Sequence, residues 1–348
     1  MSVEVSPKTI ATLDNGKELV AWTLKSATGL KAVILNYGGI LHELWVPDAK
    51  GKAVDVVLGM KDPRSYVEKN GPYFNALIGR FANRIAQARF ELDGSSYLLT
   101  ANKGAHQLHG GPGGLHQKCW DVSAVDNGIL LRTELADGED GYPGTMKLEV
   151  RMELTEANGL LYHYRAETDK ATVINLTSHP YFNLSGESAG KIGNHRFRID
   201  ADRFLPTDGE GIPSGELALV SGTPFDFREL TAVGPRLEVE DPQLTQVGGI
   251  DHCLVFHEDF SADRSVARVE DPASGRIMDV FTTEPAIQFY TGNFLEPEDR
   301  TKSSYQQHTG FCLETQHLPD SPNHPEWPST RLDPGQVFQS KTEYRFSC

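Results

Sequence analysis

The chain has 348 residues, 39% of them hydrophobic, with 48 acidic against 33 basic side chains and a formal net charge of -15. That balance repels nucleic acid and anionic membranes, and no dense Lys/Arg patch offsets it, so a neutral or cationic small ligand suits it better. No apolar run approaches the roughly 20 residues of a membrane helix, and the four scattered cysteines, Cys119, Cys253, Cys312 and Cys348, form no CxxC pair that would indicate a disulfide framework or a zinc knuckle.

The first eight residues, Met1 to Lys8, lack the basic and apolar blocks of a signal peptide, so the cytoplasm is the expected compartment. Residues 62–69 predict one short helix. Arg89–Leu92 alternates, turns through 93–96 and returns over 97–99. Residues 126–128, Asp-Asn-Gly, separate 120–122 from 129–131, and Asn-Gly is a strong hairpin signal. Met146–Leu154 alternates strictly, turns at 156–159 and resumes over 160–164. The β-branched run 172–176 predicts a strand. Further strands are expected over 196–200, 265–269 and 342–346, with a hairpin turn at 272–275. Period-2 alternation dominates, and no amphipathic helical stripe exceeds about two turns. No linker, repeat or charge shift marks a boundary. The expectation is an all-β chain, a large sandwich with residues 1–348 in one domain.

Polar residues gather in a few stretches. In Gly79-Arg80-Phe81-Ala82-Asn83-Arg84-Ile85 the two arginines share parity, so at least one is expected to point inward unless both are solvated or ion-paired. Residues 106–116 are rich in glycine, but no Gly-Lys-Ser/Thr and no helix start follow, which argues against a phosphate loop. His106, His109 and His116 fit no zinc spacing, so no metal is expected. Pro180 cannot donate a ladder hydrogen bond and biases His179 toward an extended conformation. His179 is therefore expected where a strand stops being regular, either facing a cavity or packed at the strand end. Asp251 opens an apolar strand, as a turn cap or as a polar wall. Glu314 follows an apolar run, and a carboxylate in a buried strand is costly unless paired or functional. The proline-rich stretch 317–329 is expected to cover one end of the sandwich.

Six stretches in order carry a resemblance: 79–85, Leu108-His109-Gly110-Gly111, Thr177-Ser178-His179-Pro180-Tyr181-Phe182-Asn183-Leu184, Gly249-Ile250-Asp251-His252, Gln288-Phe289-Tyr290-Thr291-Gly292-Asn293, and 313–323 beginning Leu-Glu-Thr-Gln. On these residues the chain resembles the aldose 1-epimerase family, the galactose mutarotases. The resemblance implies a large antiparallel β-sandwich of the galactose mutarotase-like supersandwich type, with an open cleft. It also implies His179 as general acid and Glu314 as general base. Asn83, Arg84, His109, Tyr181, Asp251 and Gln288 fall on the positions that contact sugar hydroxyls. Ile250 stands where an aromatic residue is expected and Cys253 where asparagine is, so the lining beside Asp251 departs from the family pattern.

The implied reaction, exchange of the α and β anomers of a free hexose such as galactose or glucose, needs one base for the anomeric hydroxyl and one acid for the ring oxygen. It needs no cofactor and no metal. Unperturbed pKa values of about 4.3 and 6.5 make ionised Glu314 beside protonated His179 attainable near neutrality. Phe81, Tyr181 and Phe289 are candidates for an apolar face against the sugar. Two rival readings are a hexose-phosphate 1-epimerase, which would want a cluster of Lys/Arg at the cleft, and a non-catalytic carbohydrate-binding protein, which would have no use for both a proton donor and an acceptor.

Overall fold

The computed structural model describes residues 2–257 and 259–348. Alternating burial dictates its layers. In Met146–Leu154 and Gly159–Thr168 the even-numbered side chains from Met146 to Ala166 are buried and most odd-numbered ones are wetter, so one face of the pleat is apolar. These strands lie within a nine-stranded antiparallel sheet. Its order is Asp121–Val125, Gly128–Leu135, Met146–Leu154, Gly159–Thr168, Phe338–Ser347, Ile277–Thr282, Ala267–Glu270, Arg196–Ile199 and Thr231–Ala232.

Two five-stranded sheets share its core. One holds Val3–Thr12, Glu18–Ser26, Lys31–Leu35, Leu41–Pro47 and Ala53–Asp55. The other runs Ala218–Leu219, Ala201–Phe204, Asp251–Phe256, Ala286–Tyr290 and Cys312–Gln316. One buried cluster joins all three, with Leu44 and Val46 from the first, Val150, Tyr162 and Tyr344 from the nine-stranded sheet, and Leu254, Phe289 and Leu313 from the last. The fold is an all-β sandwich, as expected. Among the described residues no helix is long and apolar enough to cross a membrane.

The local signals held where the turn lay inside the element. Asp93 and Gly94 both take left-handed backbone, φ 52° and 75°, and close a two-residue hairpin, tighter than the four residues expected. The short helix is Arg64–Glu68. The run 172–176 is not one strand. Its residues pair in turn with Leu332 and Arg331, with Phe81, and then, through Thr177 and Ser178, with Ile78 and Leu77. Three partners from distant parts of the chain replace one neighbour, and no local pattern encodes that. The helix Pro242–Val247 escaped the sequence reading although it carries its own signals. Asp241 caps it by accepting from the Gln243 amide at 2.8 Å, Pro242 opens it and Gly248 ends it at φ 69°.

Strand parity places the chemistry. In the second five-stranded sheet Leu254, Ile287, Phe289 and Leu313 face the nine-stranded sheet. The alternate positions, Asp251, Gln288, Tyr290, Cys312 and Glu314, therefore share the opposite face. Register sets Gln288 directly beside Glu314, and Tyr290 between Asp251 and Cys312.

Candidate functional site

Over that face lies a cavity of about 240 Å³. Its wall includes Asn83, Arg84, His109, His179, Tyr181, Asp251 and Glu314. These are seven of the eight residues singled out from sequence. The eighth, Gln288, is not part of the wall. It shares the face of Asp251 and Glu314 and donates from Nε2 to Asp251 Oδ1 at 2.7 Å. Phe81 and Phe289 do not form the apolar face either. Phe289 points into the main core, and Phe81 packs with Ile85, Phe90 and Tyr142 in a satellite cluster. Tyr73, Tyr290, Phe294 and Leu295 line the cavity instead. Tyr290 was legible, since it shares parity with Gln288. Tyr73 follows a Gly71-Pro72 turn signal just upstream of the 79–85 stretch.

His179 sits where the regular ladder ends. Ser178 is the last strand residue, and His179 keeps its backbone bonds, donating to Ala76 O at 2.9 Å and accepting from Asn75 N at 3.0 Å. Its Nε2 lies 3.5 Å from Glu314 Oε1. Its Nδ1 lies 3.4 Å from Cys312 Sγ. Glu314 is 2% exposed, and its Oε2 has no hydrogen-bond partner among the described residues.

Asn83 and His109 hold each other. Both are left-handed, φ 61° and 54°, as Asn and His tolerate better than most residues. His109 N donates to Asn83 O at 2.9 Å, and Asn83 N donates to His109 Nδ1 at 3.2 Å. The second bond makes Nδ1 an acceptor, which leaves the imidazole proton on Nε2 as a donor. Arg84 stands beside them and is braced from behind, because Asp320 N donates to Arg84 O at 2.8 Å and Asp320 Oδ1 accepts from Ala86 N at 2.9 Å. The 317–329 stretch thus buttresses one wall. Arg80, of the same parity, points elsewhere. It is 2% exposed and donates to Pro143 O and Gly144 O, both at 2.8 Å.

Asp251 is delivered by a tight turn. Gly249 has φ 149°, and a Cβ there would stand 2.4 Å from Asn293 Oδ1, so only glycine fits. The two departures from the family pattern fall outside the cavity wall. Ile250 belongs to the main core, and Cys253 packs with Leu205, Ala286, Leu318 and Trp327.

Burial shifts both members of the His179–Glu314 pair. It pushes the His179 pKa down to about 4. Burial first, and the Asp251 charge second, push Glu314 well above the carboxylate range, with Arg84 opposing. The order expected from solution values is therefore reversed, because burial penalises the charged form of each group. His109 is also held well below its ordinary value, by burial and then by His179, Arg84 and His116.

Among the described residues His109, His179 and Glu314 are the group of potential metal ligands that gathers, with ligand atoms within 4.8 Å of one another. The Nε2–H that Asn83 enforces on His109 is a donor, not a ligand, so this trio suits hydroxyl groups better than a cation. Of the other two histidines in the 106–116 stretch, His106 contacts Glu210 at 3.2 Å, and His116 packs edge-on against Tyr73.

The family model described as aldose 1-epimerase matches residues 20–345. A galactose mutarotase from Bos taurus is 42% identical over 322 residues, 91% of each chain. An aldose 1-epimerase from Escherichia coli (strain K12) is 36% identical over 343 residues, 97% of this chain and 98% of that one. The crystal structure of galactose 1-epimerase from Lactobacillus acidophilus NCFM superposes with a TM-score of 0.88 at 27% identity, covering 99% of each chain.

Proposed function

The chain belongs to the aldose 1-epimerase family, and from that premise we propose that it interconverts the α and β anomers of free hexoses, galactose and glucose among them. The observation that carries the reading is the 3.5 Å approach of His179 Nε2 to Glu314 Oε1 on the wall of a cavity. One carboxylate and one imidazole are the base and acid the reaction needs.

The reaction uses the form of the pair that carries one proton, and that proton has two homes, His179 and Glu314. With it on His179, Glu314 removes the proton of the anomeric hydroxyl while the imidazolium donates to the ring oxygen. The C1–O5 bond breaks and C1 becomes an aldehyde. The C1–C2 bond turns by about half a rotation, and the opposite carbonyl face meets O5. Both proton transfers then run backwards, so neither residue needs to exchange with solvent. Each transfer is worth about 10² to 10⁴ in rate. The arrangement with the proton on Glu314 differs only in where that single proton rests.

His109 Nε2–H, the Arg84 guanidinium, the Asn83 amide and the Asp251 carboxylate offer the mixture of donors and acceptors that a ring of hydroxyls requires. Tyr181 closes over His179 with its ring 5.0 Å away and nearly parallel. We assign Gln288 to positioning Asp251. We also read residues 1–348 as one domain, supported by the buried cluster that runs from Leu24 to Phe346. A cytoplasmic setting is supported by the free cysteines, two of them buried.

Polarimetry on freshly dissolved α-galactose and α-glucose tests the reading. The rotation should decay much faster with protein than without, and a chelator should change nothing. Decay at the uncatalysed rate for both sugars would overturn it, and activity lost to chelator and restored by a divalent ion would overturn the metal-free chemistry.

A further inference from the structure

Tyr73 has φ 58°, a left-handed backbone that a bulky aromatic residue adopts only where its surroundings force it. Those surroundings are firm. Tyr73 N donates to Asn70 O at 3.0 Å, and Tyr73 O accepts from Ala76 N at 3.2 Å. On either side, Pro72 O accepts from Tyr181 Oη at 2.9 Å, and Asn75 bonds to both His179 O and Tyr181 N. The loop that strains Tyr73 is therefore fastened to the segment that carries His179.

The strained residue delivers its ring into a group of three imidazoles. The ring stands edge-on to His109 at 4.7 Å and to His116 at 4.8 Å, and nearly parallel to His179 at 6.3 Å. His109 and His179 are themselves 5.4 Å apart and nearly perpendicular. His109 is tethered through Nδ1 to a backbone amide, and His179 through Nδ1 to the weak Cys312 thiol, with only a long 3.5 Å approach to Glu314 at its Nε2. Rotation about the second side-chain torsion of histidine is soft, so such a tether leaves the ring plane free to swing. Tyr181 stacks on His179 at 5.0 Å, and Tyr73 is the ring that touches His109 and His179 together.

We propose that Tyr73 is a positioning residue whose ring, not its hydroxyl, holds the His109 and His179 imidazoles in the orientation that proton transfer and hydroxyl binding require. The inference rests on the acid–base reading of His179 given above.

The test compares Tyr73→Leu, which removes the ring, with Tyr73→Phe, which keeps it. Tyr73→Leu should lower kcat by roughly tenfold to a hundredfold, the range expected for a misplaced acid, with a smaller change in KM. Tyr73→Phe should recover most of that loss. Proton–nitrogen correlation spectra of the imidazoles should show one defined tautomer for His179 and His109 in the unaltered enzyme and in Tyr73→Phe, and averaged signals in Tyr73→Leu. Should Tyr73→Leu fail to fold, Tyr73→Asn fits the left-handed backbone and removes the ring equally. A folded ringless variant with full kcat and unchanged imidazole spectra overturns the inference. So do a Tyr73→Phe protein as impaired as Tyr73→Leu, and averaged tautomers in the unaltered enzyme. An unaltered enzyme that leaves anomerisation at its uncatalysed rate overturns the mutarotase reading instead, so the two failures are distinct.

Discussion

His179 Nε2 and Glu314 Oε1 face each other at 3.5 Å with neither side chain more than 7% exposed. The separation is slightly long for a hydrogen bond, as is common for catalytic pairs before substrate tightens them. Burial, shared by both, reverses the order in which they titrate.

That reversal sets the pH profile. Below the acid limb of kcat/KM both groups are protonated and no base remains; above the alkaline limb both are deprotonated and no acid remains. The acid limb should follow His179, near its lowered value of about 4, and the alkaline limb should follow the raised Glu314. Asp251 raises the Glu314 value and Arg84 lowers it. Asp251→Asn should therefore move the alkaline limb to lower pH, and Arg84→Met should move it to higher pH. Limbs that stay put in both variants, or move in the opposite sense, would refute the assignment.

Glu314→Gln keeps the shape and most of the hydrogen bonding but removes the base. It should lower kcat by about 10² to 10⁴ while calorimetry shows near-normal sugar affinity. His179→Asn should do the same through loss of the acid. Near-normal turnover in Glu314→Gln would send the search for the base to Asp251 or His109.

Asp251→Ala and Arg84→Ala should each weaken sugar binding by about 1.5–3 kcal/mol, the worth of hydrogen bonds to a charged group. Gln288→Ala should cost less, because its Nε2 acts on Asp251. The double variant Asp251→Ala, Gln288→Ala should bind no more weakly than Asp251→Ala alone. Additive losses in calorimetry would mean that Gln288 meets the sugar itself.

Arg80 and Arg84 should separate stability from binding. Arg80→Met leaves two buried carbonyls, Pro143 O and Gly144 O, without their donor. It should destabilise the protein by roughly 2–4 kcal/mol in denaturant titration. The KM of the folded fraction should not change. A raised KM with unchanged stability would reverse the division of labour between the two arginines.

Hairpins 89–98 and 146–168 were legible because their turn residues and alternation lie within a few positions of one another. The left-handed Asp93-Gly94 pair needs nothing from the rest of the molecule. The irregular segment around His179 was legible only at Pro180, where a missing donor must interrupt a ladder whatever the partner. Its actual partners come from 331–332, 81 and 77–78, and a local reading cannot find them.

Periodicity and turn chemistry are local properties, so the all-β class, most turn positions and the polar side chains from which a site could be built were already legible in the chain. Which of those side chains share a cavity depended on packing between distant segments. Parity within a strand fixes which positions alternate, but the layer packed against that strand decides which set faces it. That layer turned Phe289 into the core and left Tyr290 on the wall, while a separate loop bonded to Tyr181 and His179 brought in Tyr73. The titration order was settled there too, since a pKa shift arises from water removed and charges assembled by distant segments, and neither exists until His179, Glu314 and Asp251 meet.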